Sequence, residues 1–415
     1  MSNVPKLRFK EFSGENKVQK LKEVVLSNTY GPRFNANDYD DNGNVKTIRG
    51  TDVSLDGSIK YNQVPMAQLD EKFIKSHILE DGDLVMITTA DCGLTGIFEE
   101  QNEKYICSAY AVKITLDKSL TYPYYFKYFF QTTLAKNEVN KYIRKATVAN
   151  LPASDILRFS HRIPSKQEQE KIASFLTSVD TKIEQLTKKE ELLQQYKKGV
   201  IQKIFNYENR KAKDNCLSLV DSEPKAMCGS TAGRIRFKAD DGSDFCDWEE
   251  KKLGDILDYI QPTKYLVSNT EYNDSYKIPV LTAGKTFILG YTNEIEGIFE
   301  NNLPVIIFDD FTTANKFVNF PFKAKSSAMK ILISKNNNDI KFIYEAMQII
   351  NYEVGGHERH WISKFSFINI FMPCIEEQTK IANFLSSIDT KIEQVQKQLD
   401  STKEFKKALL QQMFV

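Results

Sequence analysis

Three short stretches of this chain carry residue types that could do chemistry, and in each the spacing fails. Ala283-Gly284-Lys285-Thr286 ends like a phosphate-cradling loop, but that loop needs glycine at position 279, where Pro279 stands. His357-Glu358-Arg359-His360 spaces its histidines i,i+3, whereas a zinc-binding helix needs them one turn apart at i,i+4. Glu249-Glu250-Lys251 holds the Glu-x-Lys of a metal-dependent nuclease without the preceding Pro-Asp. The Asn/Asp-Pro-Pro-aromatic loop of amino-methyltransferases does not occur, and no Gly-x-Gly loop suited to S-adenosylmethionine follows a clear strand. The six cysteines (Cys92, Cys107, Cys216, Cys228, Cys246, Cys374) form no CxxC pair, which favours reduced thiols over a disulfide frame or a zinc site. The chain itself is therefore expected to be no enzyme and to hold no metal or cofactor.

What the chain does carry is one long block written twice. Residues 164–205 and 373–414 align without a gap, Pro164 on Pro373 and Phe205 on Phe414. In the second copy, Ile381, Leu385, Ile388, Ile392, Val395 and Leu399 fall in the alternating four-three spacing of a coiled-coil seam. The first copy gives Ile172, Leu176, Val179, Ile183 and Leu186, breaks at Glu190, and resumes at Leu193, Tyr196, Val200 and Ile204. Ser165-Lys166-Gln167-Glu168 predicts a capping box at the start of the first helix; Cys374 takes the serine's place in the second. At 1.5 Å per residue each helix would run about 60 Å, too long to leave its seam unpaired, and its twin is the nearest partner.

Ahead of each helix lies a globular part, and these parts also echo each other. Leu7-Arg8-Phe9-Lys10 matches Ile235-Arg236-Phe237-Lys238, and Ala111-Val112-Lys113-Ile114 matches Ala328-Met329-Lys330-Ile331. Short runs such as LVMITTA, AVKITL, VIIF and MKILI predict strands, Asp56-Gly57 predicts a hairpin turn, and 122–134 and 340–350 predict helices. The reading is an α+β chain. Two homologous mixed α/β domains, 1–164 and 234–373, are joined by two long antiparallel helices, 165–205 and 374–415, with a polar linker at 206–233 and an approximate twofold.

Bulk composition agrees with this and adds limits. At 415 residues the chain exceeds one ordinary core. It is 41% hydrophobic and 27% charged, with no apolar run long enough for a membrane span. The start, MSNVPKLRFKEF, lacks an apolar export core, so a cytoplasmic location is expected. A net charge of only +1 gives no global nucleic-acid signal, so any such case rests on local charge, as in 141–145, 158–166 and 316–330.

The paired blocks resemble the specificity subunit of type I restriction-modification systems. The resemblance rests on Pro164, Glu168-Gln169, Lys171-Ile172-Ala173-Ser174-Phe175-Leu176 and Asp180-Thr181-Lys182-Ile183-Glu184. Their second copy is Pro373, Glu377-Gln378, Lys380-Ile381-Ala382-Asn383-Phe384-Leu385 and Asp389-Thr390-Lys391-Ile392-Glu393. It covers essentially the whole chain. It implies that each globular part is a target-recognition domain reading one half of a bipartite, asymmetric double-stranded DNA sequence, with the helices as spacer. It also implies two adenine-methylating modification subunits docked on the helices and two restriction (translocase) subunits completing a bacterial defence complex. S-adenosylmethionine, ATP and Mg²⁺ would then sit on those partners.

Direct readout needs Arg, Lys, Asn, Ser or Thr on loops that reach base edges. In the first half the candidate DNA contacts are Arg33, Arg49, Thr51, Thr88, Thr89, Thr95, Lys145, Thr147 and Asn150. In the second they are Thr282, Lys285, Thr286, Thr312, Thr313, Asn315, Lys316, Lys325, Ser326, Arg359 and His360. Arg162, Lys166 and Lys171 are read as solvating the outer helix face. Phe175 and Phe384 exceed what a two-helix seam covers, and are the expected docking points for modification subunits. Two other readings stay open: a stand-alone nuclease or methyltransferase, and a coiled-coil adaptor that reads no DNA.

Overall fold

The structure, a computed structural model, describes residues 4–145, 147–205, 235–282, 284, 286–352 and 359–414. The linker expected at 206–233 lies outside the described residues. The chain divides into two compact units: Met1–Lys188 with Gln396–Val415, and Lys189–Val395. Each unit therefore holds the start of one long helix and the end of the other.

In unit 1, β1 (Lys17–Lys20) pairs antiparallel with β9 (Ser160–Ile163), closing the domain at the foot of the long helix. A four-stranded antiparallel sheet follows the order β2 (Val25–Tyr30), β8 (Ala111–Leu116), β5 (Leu84–Ile87), β6 (Thr95–Ile97). A three-stranded sheet has β3 (Val45–Ile48) between β4 (Met66–Ala67), antiparallel, and β7 (Tyr105–Cys107), parallel. Strand β5 explains the layering. All four of its residues are buried: Leu84 and Met86 enter one apolar cluster with the helices, and Val85 and Ile87 enter another against the smaller sheet. A strand with a core on both faces reads as a continuous apolar run, which is why Leu-Val-Met-Ile does not alternate.

Unit 2 repeats this plan. β10 (Glu249–Lys252) pairs with β18 (Asn369–Met372). The larger sheet runs β11 (Leu257–Ile260), β17 (Met329–Ser334), β14 (Val305–Asp309), β15 (Asn315–Val318). The smaller has β12 (Ile278–Leu281) between β13 (Ile288–Thr292), antiparallel, and β16 (Lys323–Ala324), parallel. Ile306 and Phe308 of β14 face the helical core; Val305 and Ile307 face the other.

The sequence-predicted helices form at Pro123–Phe129, Thr133–Asn140 and Ile340–Met347, the first interrupted before Thr132 caps the second by accepting from the Ala135 N–H. The Asp56-Gly57 hairpin is reduced to a tight turn closed by one bridge, Val53 to Ile59, with Gly57 at φ 77°. The long helices span Lys166–Phe205 and Ile375–Gln412. In unit 1, Ile172, Leu176 and Val179 cluster with Leu409, Met413 and Phe414; in unit 2, Val200, Ile201 and Ile204 cluster with Ile381, Leu385 and Ile388. The start of one helix thus packs on the end of the other in both units, an antiparallel pairing, each buried side chain worth about 1.5–3 kcal/mol. The seam position expected at Tyr196 is instead 54% exposed, and the neighbouring Lys197 turns inward to a pair of carboxylates.

Candidate nucleic-acid interface

The candidate loops of unit 1 converge because three strands end at one rim. The Ser108 N–H donates to the Ile48 carbonyl, and the Thr88 N–H donates to the Tyr110 carbonyl, tying the ends of β3, β5 and β7 together. Gly31 lets the loop after β2 cross this edge, since a Cβ there would lie 2.0 Å from the Cys107 carbonyl oxygen. The result is a cleft of about 750 Å³ lined by Arg33, Arg49, Thr51 and Thr89 from the candidate set. Tyr110 lines it too and is 64% exposed. Sequence reasoning passed over Tyr110; the only available signal was its place just before a strand.

Arg33 is exposed and makes no ion pair among the described residues. Arg49 is held: its Nε donates to Asp52 Oδ2 at 3.0 Å and its Nη2 to Asp52 Oδ1 at 3.1 Å. Asp52 is fully buried; burial works to raise its carboxyl, but hydrogen bonds from Arg49 and Gln63 hold it below its usual value. The segment carrying Lys145, Thr147 and Asn150 is pinned beside the cleft by the Thr89–Asn150 bridge and by the Leu151 N–H donating to the Thr88 carbonyl. Those three side chains are exposed. Two candidates do not reach the surface. Thr88 and Thr95 are 1% and 4% exposed, and their hydroxyls donate to the carbonyls of Tyr110 and Gly93. Each sits where the strand's inward face demands burial, so neither presents a group to a ligand.

Unit 2 builds its rim with the same stitches. The Lys325 N–H donates to the Leu281 carbonyl, the Asp310 N–H to the Ala328 carbonyl and the His360 N–H to the Asp310 carbonyl. Thr282 thus occupies the place of Arg49, Asp310 that of Thr88 and Lys325 that of Ser108. Lys316, Lys325, Ser326 and Arg359 are exposed. Several candidates spend their side chains locally. Thr282 Oγ1 donates to the Thr286 carbonyl at 2.6 Å, Thr312 Oγ1 to Asp309 Oδ2 at 2.8 Å and Thr313 Oγ1 to the Thr312 carbonyl, and Asn315 Oδ1 accepts from Gln348. His360 is fully buried, its Nδ1 3.0 Å from the Tyr352 hydroxyl, and is corrected from a surface group to a core one. Lys285 lies outside the described residues. Asp310 pairs at 3.5 Å with the buried Lys330, so this rim carries an internal ion pair absent from the unit 1 position.

The family-marker residues at the helix starts turn out to seal each unit. Glu168 is buried and takes both oxygens to Arg8; the Gln169 amide donates to the Pro164 carbonyl and accepts from the Tyr122 N–H. Glu377 and Gln378 repeat this with Arg236, the Pro373 carbonyl and the Asp339 N–H. Only half of the expected capping box forms: Ser165 Oγ accepts from the Glu168 N–H, but the Glu168 carboxylate is committed to Arg8. Phe175 and Phe384 are half-buried, edge-on to Phe9 and Phe237 at 5.8 and 5.5 Å. Among the described residues no cluster of three or more His, Cys, Asp or Glu could hold a metal ion, and no helix is long and apolar enough to cross a membrane.

Two units of one topology, each closed by a long helix and each presenting a loop-built rim, define a duplicated recognition protein. The chain matches the family model described as the type I restriction modification DNA specificity domain at residues 14–194 and 246–402, and it belongs to that family. It is 53% identical over 141 residues to the EcoR124I/EcoR124II type I restriction enzyme specificity subunit of Escherichia coli, a match spanning 33% of this chain and 35% of that one. It is 24% identical over 331 residues, 77% of this chain and 73% of the relative, to a Methanocaldococcus jannaschii protein described as the MjaX type I restriction enzyme specificity subunit. The crystal structure of a type I restriction-modification S subunit from M. genitalium shares the fold. Its TM-score is 0.64 at 16% identity, covering 99% of both chains.

Proposed function

We propose that this chain is the non-catalytic, sequence-reading subunit of a type I restriction-modification complex, each unit reading one half of a bipartite, asymmetric target in double-stranded DNA. The observation that carries this is the pair of rims: one hydrogen-bond scheme, two different sets of side chains. Thr282 of unit 2 stands in the place of Arg49 of unit 1, and the exposed Lys325 in the place of the buried Ser108. A retained frame with exchanged side chains at the rim is what two distinct specificities require.

The DNA-facing set is then Arg33, Arg49, Thr51, Thr89, Lys145, Thr147 and Asn150 in unit 1. In unit 2 it is Thr282, Thr286, Thr312, Thr313, Asn315, Lys316, Lys325, Ser326 and Arg359, with Lys285, outside the described residues, proposed from the sequence alone. The paired helices serve as the spacer that fixes the unread gap. The aromatic pairs Phe9–Phe175 and Phe237–Phe384 mark equivalent places for two adenine-methylating modification subunits, to which two restriction subunits add. S-adenosylmethionine, ATP and Mg²⁺ belong to those partners. The test is to replace residues 1–160 with those of a relative and map the methylated sites of the assembled complex. One half-site should change while the other and the gap persist. A target altered in both halves, or in neither, overturns the proposal.

A further inference from the structure

Resting on that reading, we propose that unit 1 recognises a guanine through Arg49, and that buried Asp52 is the positioning residue that makes this possible. A guanidinium that must choose between bases needs a fixed direction, because a mobile one reaches any nearby phosphate or acceptor. Arg49 has that fixity. Its backbone N–H and its Nε both donate to Asp52 Oδ2, at 2.9 and 3.0 Å, and Nη2 donates to Asp52 Oδ1 and to the Gln63 carbonyl. Asp52 is itself fixed by the Gln63 amide at 2.9 Å and by complete burial. Among the described residues Nη1 is the one guanidinium nitrogen with no partner, on a side chain 43% exposed at the cleft. Guanine alone among the base edges of the major groove offers two acceptors, N7 and O6, and Nη1 meets one of them, so the assignment requires a second donor beside Arg49. Arg33, on the same cleft and unpaired, is placed to supply the second donor.

The rim of unit 2 argues for the same assignment by contrast. Thr282 stands where Arg49 stands, and its hydroxyl is already given to the Thr286 carbonyl. The two half-sites should therefore differ at this place, guanine being called for by unit 1.

The experiment uses the full chain assembled with its modification subunits. Methylation rates are measured on DNAs carrying the wild-type target and each single-base change of it, for wild type, Arg49→Ala, Arg49→Lys and Asp52→Asn. Arg49→Ala, which removes one of the two donors, should cut the preference for one guanine by about 10-fold. Arg49→Lys should restore part of that preference, and Asp52→Asn should weaken it at the same position. Continued reading of the remaining positions of the unit 1 half-site shows that unit 1 of each variant is folded. A uniform loss over all sequences, meaning a phosphate contact, overturns the proposal, as does an unchanged preference; either leaves the bipartite reading intact. A wild-type complex with no sequence preference overturns both.

Discussion

Arg8 and Glu168, 160 positions apart in the chain, form a two-pronged ion pair with both prongs at 2.7 Å. The carboxylate side chain is 2% exposed. Arg236 and Glu377 make the same pair at 3.0 Å on both prongs. A buried carboxylate of this kind is tolerated only while its partner is present. Arg8→Ala should therefore destabilise unit 1 by about 2–3 kcal/mol, whereas replacing both residues with methionine should cost much less. Denaturant unfolding of the single and double variants checks this; equal losses in both would contradict it.

The helix ends are held by a second reciprocal pairing. Asp180 meets Lys406 at 2.6 Å in unit 1, and Asp389 meets Lys197 at 2.7 Å in unit 2. The two pairs are not equal, because Lys197 also holds the fully buried Glu345 at 2.9 Å. Lys341, at 2.7 Å from both Glu345 and Asp389, keeps those carboxylates paired after Lys197→Ala, so that variant should cost about 1 kcal/mol, and Lys406→Ala, which leaves Asp180 with no cation among the described residues, about 2 kcal/mol. Thermal unfolding monitored for each variant gives the order.

His161 supplies a pH dependence. It is 8% exposed, stacks 4.2 Å from Phe129, and neither ring nitrogen has a partner among the described residues. Burial pushes its pKa from 6.5 down to about 3. Above the unfolded value both states are neutral and the histidine has no effect on stability. As pH falls from there, the unfolded chain takes up a proton that the folded chain refuses. Unit 1 loses stability at up to about 1.4 kcal/mol per pH unit until the folded group titrates. His161→Leu should flatten that slope, read as denaturant midpoints on either side of the unfolded pKa.

The proposed spacer role has its own signature. One heptad added to each helix, between Leu186 and Val200 and between Val395 and Leu409, lengthens the pair by about 10.5 Å. The gap in the methylated target should widen while both half-sites keep their bases. Unchanged spacing would assign the gap to something other than the helices.

How much of this was legible in the residues differs by scale. Repetition and heptad spacing announced the helices to within a few residues, because Ile381, Leu385, Ile388, Val395 and Leu399 are buried as their period requires. The strands Leu84–Ile87 and Val305–Asp309 were legible as apolar runs. Tyr196 was not, since the period is indifferent to an inward lysine satisfied by Glu345 and Asp389. Thr88, Thr95 and His360 look like any surface polar residue until tertiary packing buries them. The task of Glu168 was hidden for a plainer reason: its partner lies in the first ten residues, and no local pattern connects the two.

The central claim is that one chain directs modification to two unlike half-sites at a fixed separation. Sequencing methylated adenines across the genome of cells that make this chain with its modification subunits tests it most directly. The account predicts a single bipartite motif, asymmetric, with an unread gap of constant length, lost when this chain is deleted. A palindromic or contiguous motif, or methylation that persists without the chain, would contradict it.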